Sequence, residues 1–301
     1  MSEHEHKHID LQGKKLITVT LINLSISFVQ IIGGLISGSL SLLSDALHNL
    51  GDSSALFIAF VARKTGMKAA DPQKTFGYKR IEILAALFNA IILIAISLFL
   101  FYKAYERLQA PEPVETGLML VIAFFGLAAN LVSVLIIKKD KHHNINVRAA
   151  YLHLLGDTLS SVAVIVGGIA MYYFEIYRLD SGITILIGIY IIYHAWDVVK
   201  ETVEILMQSA PVNININEIK ERIETIEDID NIHHIHLWKL TDAQIHFEAH
   251  ISLKNNMDIE TMMSLKRKTE NILQTEFNIQ HTTLQFEYGS CDDAGKTLSE
   301  N

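Results

Sequence analysis

The stretch LSLLSDALHNLGDSSALFIAFVA, residues 40–62, decides how this chain is read. It is long enough to cross the hydrocarbon core of a bilayer, which takes about 20 residues. Yet its middle part, residues 45–52, holds Asp45, His48, Asn49 and Asp52. An aspartate near the bilayer centre costs roughly 2.5–3.5 kcal/mol on insertion scales, so an intramembrane carboxylate points to a function. The unit His48-x-x-x-Asp52, with Gly51 before the aspartate, returns 105 residues later as His153-x-x-x-Asp157, with Gly156 before it. Residues at i and i+4 of a helix share a face. Two such faces turned together offer two imidazole nitrogens and two carboxylate oxygens, and a tetrahedral set of N and O ligands suits Zn2+. The plainer reading, each histidine neutralising its own aspartate, does not explain why the unit occurs twice with the same flanks. Asp45 shares the broad face of His48, but the second unit has Ala150 in its place, so Asp45 is expected beside the ligands rather than among them.

Around these two units the chain divides into two materials. Residues 1–208 hold 17 acidic and 17 basic side chains, whereas residues 209–301 hold 16 and 8 and so carry the whole net charge of −8. The neutral part reads as six membrane spans at 16–38, 40–62, 81–105, 117–137, 147–174 and 183–207. The first follows Lys14 and Lys15, but its apolar run is too long for a signal peptide and no small-residue cleavage site follows, so it reads as a retained span. Arg63, Lys64, Lys68, Lys74, Lys79 and Arg80 crowd the loop after span two, and Lys138, Lys139, Lys141 and Arg148 the loop after span four. The connections on the opposite side are nearly free of charge, so both termini are expected in the cytoplasm. Polar residues such as Thr18, Asn23, Gln30, Asn89 and Asn130, with small ones such as Gly33, Gly34, Gly167 and Gly168, imply a closely packed bundle with a wet interior.

Several functions drop out. A neutral part joined to an acidic one lacks the basic footprint that nucleic acid requires. The single cysteine, Cys291, rules out a disulfide framework and a cysteine zinc ribbon. An organic cofactor is not expected. The polar residues 290–301 read as a disordered tail.

After Pro211 the pattern becomes a small α+β domain, expected over 212–289. Ile216, Ile219, Ile223 and Ile226 mark a helix face that Asn215 and Glu218 introduce as a variant capping box. His233 to Leu240 reads as a strand. Residues 243–253 alternate Ile245, Phe247, Ala249 and Ile251 against His246, Glu248 and His250. A helix over 258–276 and a last strand around Leu284 and Phe286 complete an αββαβ order, ferredoxin-like, with helices on one side of a sheet. Six of the 14 histidines fall in the strands: His233, His234, His236, His246, His250 and His281. Two further groups, His4, His6 and His8 in the N-terminal tail 1–13, and His142 with His143 before span five, have the composition of weak metal-binding tracts.

The paired H-x-x-x-D units, the Ser44-Asp45-Ala46-Leu47-His48 sequence and Phe76-Gly77-Tyr78 ahead of span three resemble the cation diffusion facilitator family, most of all its bacterial zinc, cadmium and cobalt resistance branch. The resemblance runs from about Lys14 to Glu287. It implies a homodimer in the bacterial inner membrane that expels Zn2+, with Cd2+ or Co2+ as further substrates, in exchange for protons by alternating access. It implies that His48, Asp52, His153 and Asp157 form the transport site, and that histidine at position 48 favours zinc. It implies a regulatory Zn2+ site in the cytoplasmic domain at His233, His250, His281 and Glu287. A further site that some members carry between spans two and three is not carried over, because that loop has Asp71 but no histidine. Neither alternative fits as well. An intramembrane zinc hydrolase needs an open ligand position and a general base, and H-E-x-x-H is absent. A membrane metal sensor that does not transport leaves the mid-membrane carboxylates without a purpose.

Overall fold

The computed structural model describes residues 3–66, 68–138 and 145–289. His142, His143 and the tail 290–301 with Cys291 lie outside the described residues, as do the side chains of His4, His6 and His8. The chain forms two compact units, one of residues 1–64 and 85–199, the other of residues 65–84 and 200–301.

Six helices make up the first unit: α1 (Glu3–Ser37), α2 (Leu40–Gly66), α3 (Ile81–Gln109), α4 (Thr116–Ile137), α5 (Ile145–Phe174) and α6 (Arg178–Leu206). Among the described residues five are long and apolar enough to cross a membrane. The exception is α2, whose length suffices but whose Asp45, His48, Asn49 and Asp52 lower its apolar content. Large apolar side chains such as Phe88, Phe99, Phe124, Leu159 and Leu186 stand exposed around the bundle, as lipid-facing positions require. Leu42, Met119, Val164, Met171 and Ile187 pack inside. Close approach depends on missing side chains: a Cβ on Gly33 would overlap Ile122 of α4, and one on Gly167 would overlap Ile183 of α6.

The bundle interior is polar at Asn23, Gln30 and Asn130, as the sequence implied, whereas Thr18 is exposed. Gln30 Nε2 of α1 donates to Asp45 Oδ2 of α2 at 3.1 Å, Ser133 of α4 donates to Asn23 of α1 at 3.2 Å, and Asn130 of α4 donates to Ser161 of α5 at 3.1 Å. These bonds fix the rotation of each helix about its axis, which apolar contacts alone do not.

The second unit has the expected αββαβ order: α7 (Ile216–Glu224), β1 (Ile229–Lys239), β2 (Ile245–Leu253), α8 (Ile259–Phe277) and β3 (His281–Glu287). β1 pairs antiparallel with β2, and β3 pairs parallel with β2, so the three-stranded sheet is mixed and α8 is the crossover. Asn215 accepts from the Asn217 N–H at 3.0 Å to start α7, and Asp258 accepts from the Thr261 N–H at 2.8 Å to start α8. Phe247, Ala249 and Ile251 alternate inward on β2 and pack with Ile219, Ile223 and Leu273, all fully buried. Asp71, in the loop before α3, accepts from the Gln73 and Lys74 N–H groups at 2.8 Å and from the Tyr78 hydroxyl at 3.0 Å. These bonds hold its carboxyl below the usual range. They give Asp71 a turn-closing role and account for Tyr78 in the Phe76-Gly77-Tyr78 sequence.

Candidate metal centre

Helical spacing places His48 and Asp52 one turn apart on α2, and His153 and Asp157 one turn apart on α5, and the bundle turns the two pairs toward each other. His48 Nε2 lies 3.4 Å from Asp157 Oδ1. His153 Nε2 lies 3.2 Å from Asp52 Oδ2 and 3.7 Å from Asp157 Oδ2. His48 Nδ1 lies 3.3 Å from Asp52 Oδ2. All four residues singled out in the sequence are therefore brought together. Ligands about 2.0–2.1 Å from a tetrahedral Zn2+ stand roughly 3.3–3.4 Å from one another. These separations use both ring nitrogens of His48 and both oxygens of Asp157; with one ligand atom each, His48, Asp52 and Asp157 fall within 4.8 Å of one another, and His153 stands beside them.

Both ring nitrogens of His48, Asp52 Oδ2 and Asp157 Oδ1 are buried without a hydrogen-bond partner among the described residues. Orphaned buried acceptors are costly, and a cation between them offsets that cost. His48 and Asp157 are 7% and 2% exposed, whereas Asp52 and His153 are 27% and 44% exposed. The two exposed members are those nearer the C-terminal end of α2 and the N-terminal end of α5. The centre is thus more open toward the C-terminal end of α2 and the N-terminal end of α5 than on its other side.

The surroundings explain the repeated flanks. Gly51 leaves room for Leu93 of α3, and a Cβ on Gly156 would strike the Tyr190 hydroxyl of α6 at 2.8 Å. The Tyr190 ring stands 6.0 Å from that of His48. Tyr190 escapes sequence reasoning because a tyrosine in an apolar span carries no local mark of a site. Asp45 sits beside these four residues, fully buried and accepting from Gln30, from Ser161 at 3.1 Å and from Ser160.

In the cytoplasmic unit the expected ligands separate. His250 Nδ1 lies 2.8 Å from Glu287 Oε1, and His233 Nε2 lies 3.8 Å from Glu287 Oε2. His234 joins them, its ring 5.1 Å from that of His233 and 4.9 Å from that of His250. One ligand atom from each of His233, His234 and His250 fits within a span of 4.8 Å. Burial pushes His233 below the usual imidazole range and so favours the neutral ring that binds metal. His281 is not brought to this group. The parallel register sets it opposite His246, with ring centres 4.4 Å apart, while Glu287 stands opposite Ser252.

The profile of the cation efflux transmembrane domain matches residues 16–207, and that of the cation efflux protein cytoplasmic domain matches residues 211–288. The metal cation efflux system protein CzcD of Cupriavidus metallidurans is 32% identical over 291 residues, covering 97% of this chain and 92% of that protein. The cadmium, cobalt and zinc/H(+)-K(+) antiporter of Bacillus subtilis is 37% identical over 285 residues, covering 94% and 91%. The zinc transporter ZitB of Pectobacterium atrosepticum is 35% identical over 293 residues, covering 96% and 90%.

Proposed function

This chain belongs to the cation efflux family, transporters rather than enzymes, and on that footing we propose that it exports Zn2+ from the cytoplasm in exchange for protons. Cd2+ and Co2+ are the further candidate substrates, in keeping with the name of the Bacillus subtilis relative. The observation that carries the reading is the meeting of His48 and Asp52 of α2 with His153 and Asp157 of α5, nitrogen and carboxylate oxygen 3.2–3.7 Å apart.

The chemistry follows from the donor set. Zn2+ binds neutral imidazole and ionised carboxylate, so loading the centre expels protons and protonating it expels zinc. The four ligands come from two helices, so a small shift of α2 against α5 separates the pairs and releases the ion. With both termini in the cytoplasm of a bacterial inner membrane, the exposed Asp52 and His153 face the cytoplasm, and this conformation is the loading state. The cytoplasmic cluster of His233, His234, His250 and Glu287 is the regulatory zinc site, with His281 outside it. Zinc there tightens a homodimer through this domain. The acidic field of residues 209–301 attracts divalent cations.

The test is zinc flux into inside-out vesicles under an imposed pH gradient. Wild type accumulates zinc only when the gradient supplies protons, and Asp157→Ala abolishes the flux. A variant that transports as fast as wild type removes the tetrahedral centre from the mechanism.

A further inference from the structure

The α6 helix carries two ionisable side chains that the tetrahedral centre leaves unused, His194 and Asp197. With Tyr190 they stand at i, i+4 and i+7, and so on one helix face. The top of this stripe touches the centre, because the Tyr190 ring lies 6.0 Å from His48 and its hydroxyl fills the space above Gly156. One turn on, the His194 ring packs 4.5 Å from Tyr190 and 5.4 Å from Tyr193. Asp197 follows about 4.5 Å further along the helix axis.

Up-and-down alternation of the spans sends the stripe from the centre toward the side where Asp52 and His153 are exposed. His194 and Asp197 are themselves exposed, and among the described residues neither has an ion pair or hydrogen bond. Two uncompensated ionisable groups on a helix apolar enough to span a membrane are costly, and their cost is offset where they meet water and a charged ligand.

We propose that His194 and Asp197 form a staging site for the transported divalent cation, one imidazole nitrogen and one carboxylate oxygen that hold it, partly hydrated, before it enters the tetrahedral centre. The proposal rests on the export reading. Two protein ligands bind weakly enough to release the ion inward, which is what a sequence of sites along a path requires. Divalent cations of the first transition row, which accept nitrogen and oxygen together, are the chemical class. Tyr190 closes the far end of the stripe and keeps the ion against α2 and α5.

The test uses the full-length protein in proteoliposomes. His194→Ala with Asp197→Asn raises the KM for Zn2+ at least about fivefold and leaves the rate at saturating zinc within about twofold of wild type. The preserved saturating rate shows that the variant is folded. In a second measurement, titration calorimetry counts the Zn2+ ions held by a chain with Asp52→Asn and Asp157→Asn, those of the His233, His234 and His250 cluster included, and adding His194→Ala and Asp197→Asn lowers that count by one. An unchanged KM, or a zinc count that the added substitutions leave as it was, overturns the staging site. If wild type moves no zinc, the export reading falls, and the calorimetry alone decides.

Discussion

The Asp180 carboxylate, in the first turn of α6, accepts a 2.7 Å hydrogen bond from the backbone N–H of Leu40 at the head of α2. It also accepts from the Ser41 N–H at 3.1 Å and from the Ser39 and Ser41 hydroxyls at 2.7 and 2.6 Å. Arg107, whose guanidinium donates to the Gly38 carbonyl, stands 3.7 Å from the same carboxylate. A helix start carries unsatisfied N–H groups and a partial positive charge, so an anion there is doubly favourable. The head of the ligand-bearing helix is therefore held by a residue 140 positions away. Asp180→Asn replaces one acceptor with an NH2 that faces other donors. The expected loss is about 1–3 kcal/mol, read as a lower unfolding temperature in detergent. An unchanged midpoint would show that α2 does not depend on this cap.

A second prediction concerns the support behind the centre. A Cβ on Gly126 of α4 would land on the Gln30 side chain, which donates to Asp45. Gly126→Ala pushes Gln30 away and leaves Asp45 with serine donors only, at a cost of about 1–3 kcal/mol. Gln30→Glu sets a second carboxylate against the first and lowers the unfolding midpoint further. Equal midpoints for the two variants would refute the idea that the Gln30 donor matters.

The pH dependence of the cytoplasmic unit follows from His246. Burial first, then His281, Lys79 and Arg80, hold its imidazole below the usual range. The unfolded chain therefore takes up the proton more readily than the folded one. The stability from neutral His246 is complete above about pH 6.5 and is lost as pH falls from there through the lower folded value. Trp238 stacks on His246 at 5.4 Å, so its fluorescence should be quenched over the same interval. The measurement uses a Trp196→Phe background, since Trp196 is the other of the two tryptophans. Emission that stays flat from about pH 7.5 down to the pH at which the unit unfolds would contradict it.

Phe247 is 1% exposed at the centre of the cytoplasmic core. Phe247→Ala is expected to destabilise that unit by about 3–5 kcal/mol. Denaturant unfolding followed by Trp238 emission checks the loss. Zinc binding at His48, Asp52, His153 and Asp157 should survive it, because those ligands draw on the other unit's packing. A parallel loss of zinc binding would show that the tetrahedral centre needs the cytoplasmic fold.

Much of the molecule is legible without coordinates, for local reasons. Span length follows from the thickness of a bilayer, and the i, i+4 pairing of His48 with Asp52 and of His153 with Asp157 follows from helix geometry. That the two pairs face each other was implied by their repetition and by the cost of unpaired carboxylates. The alternation of Phe247, Ala249 and Ile251 likewise marks a strand with one buried face, as β2 has.

What only the tertiary structure decided lies where the chain departs from its periodicity or chooses a distant partner. Regular alternation would place His233 and His234 on opposite faces of β1. The irregularity between His233 and His236, with His234 at φ +50°, instead gathers both rings beside His250. The parallel register of β2 and β3 sends His281 to His246 and leaves Glu287 to the cluster. Tyr190 above Gly156 and Asp180 at the head of α2 are choices of the same kind. Helix and strand periods are properties of the local backbone, readable in a short window. Register, bulges and cross-helix caps are settled by the burial of many residues at once, and no window of sequence contains that sum.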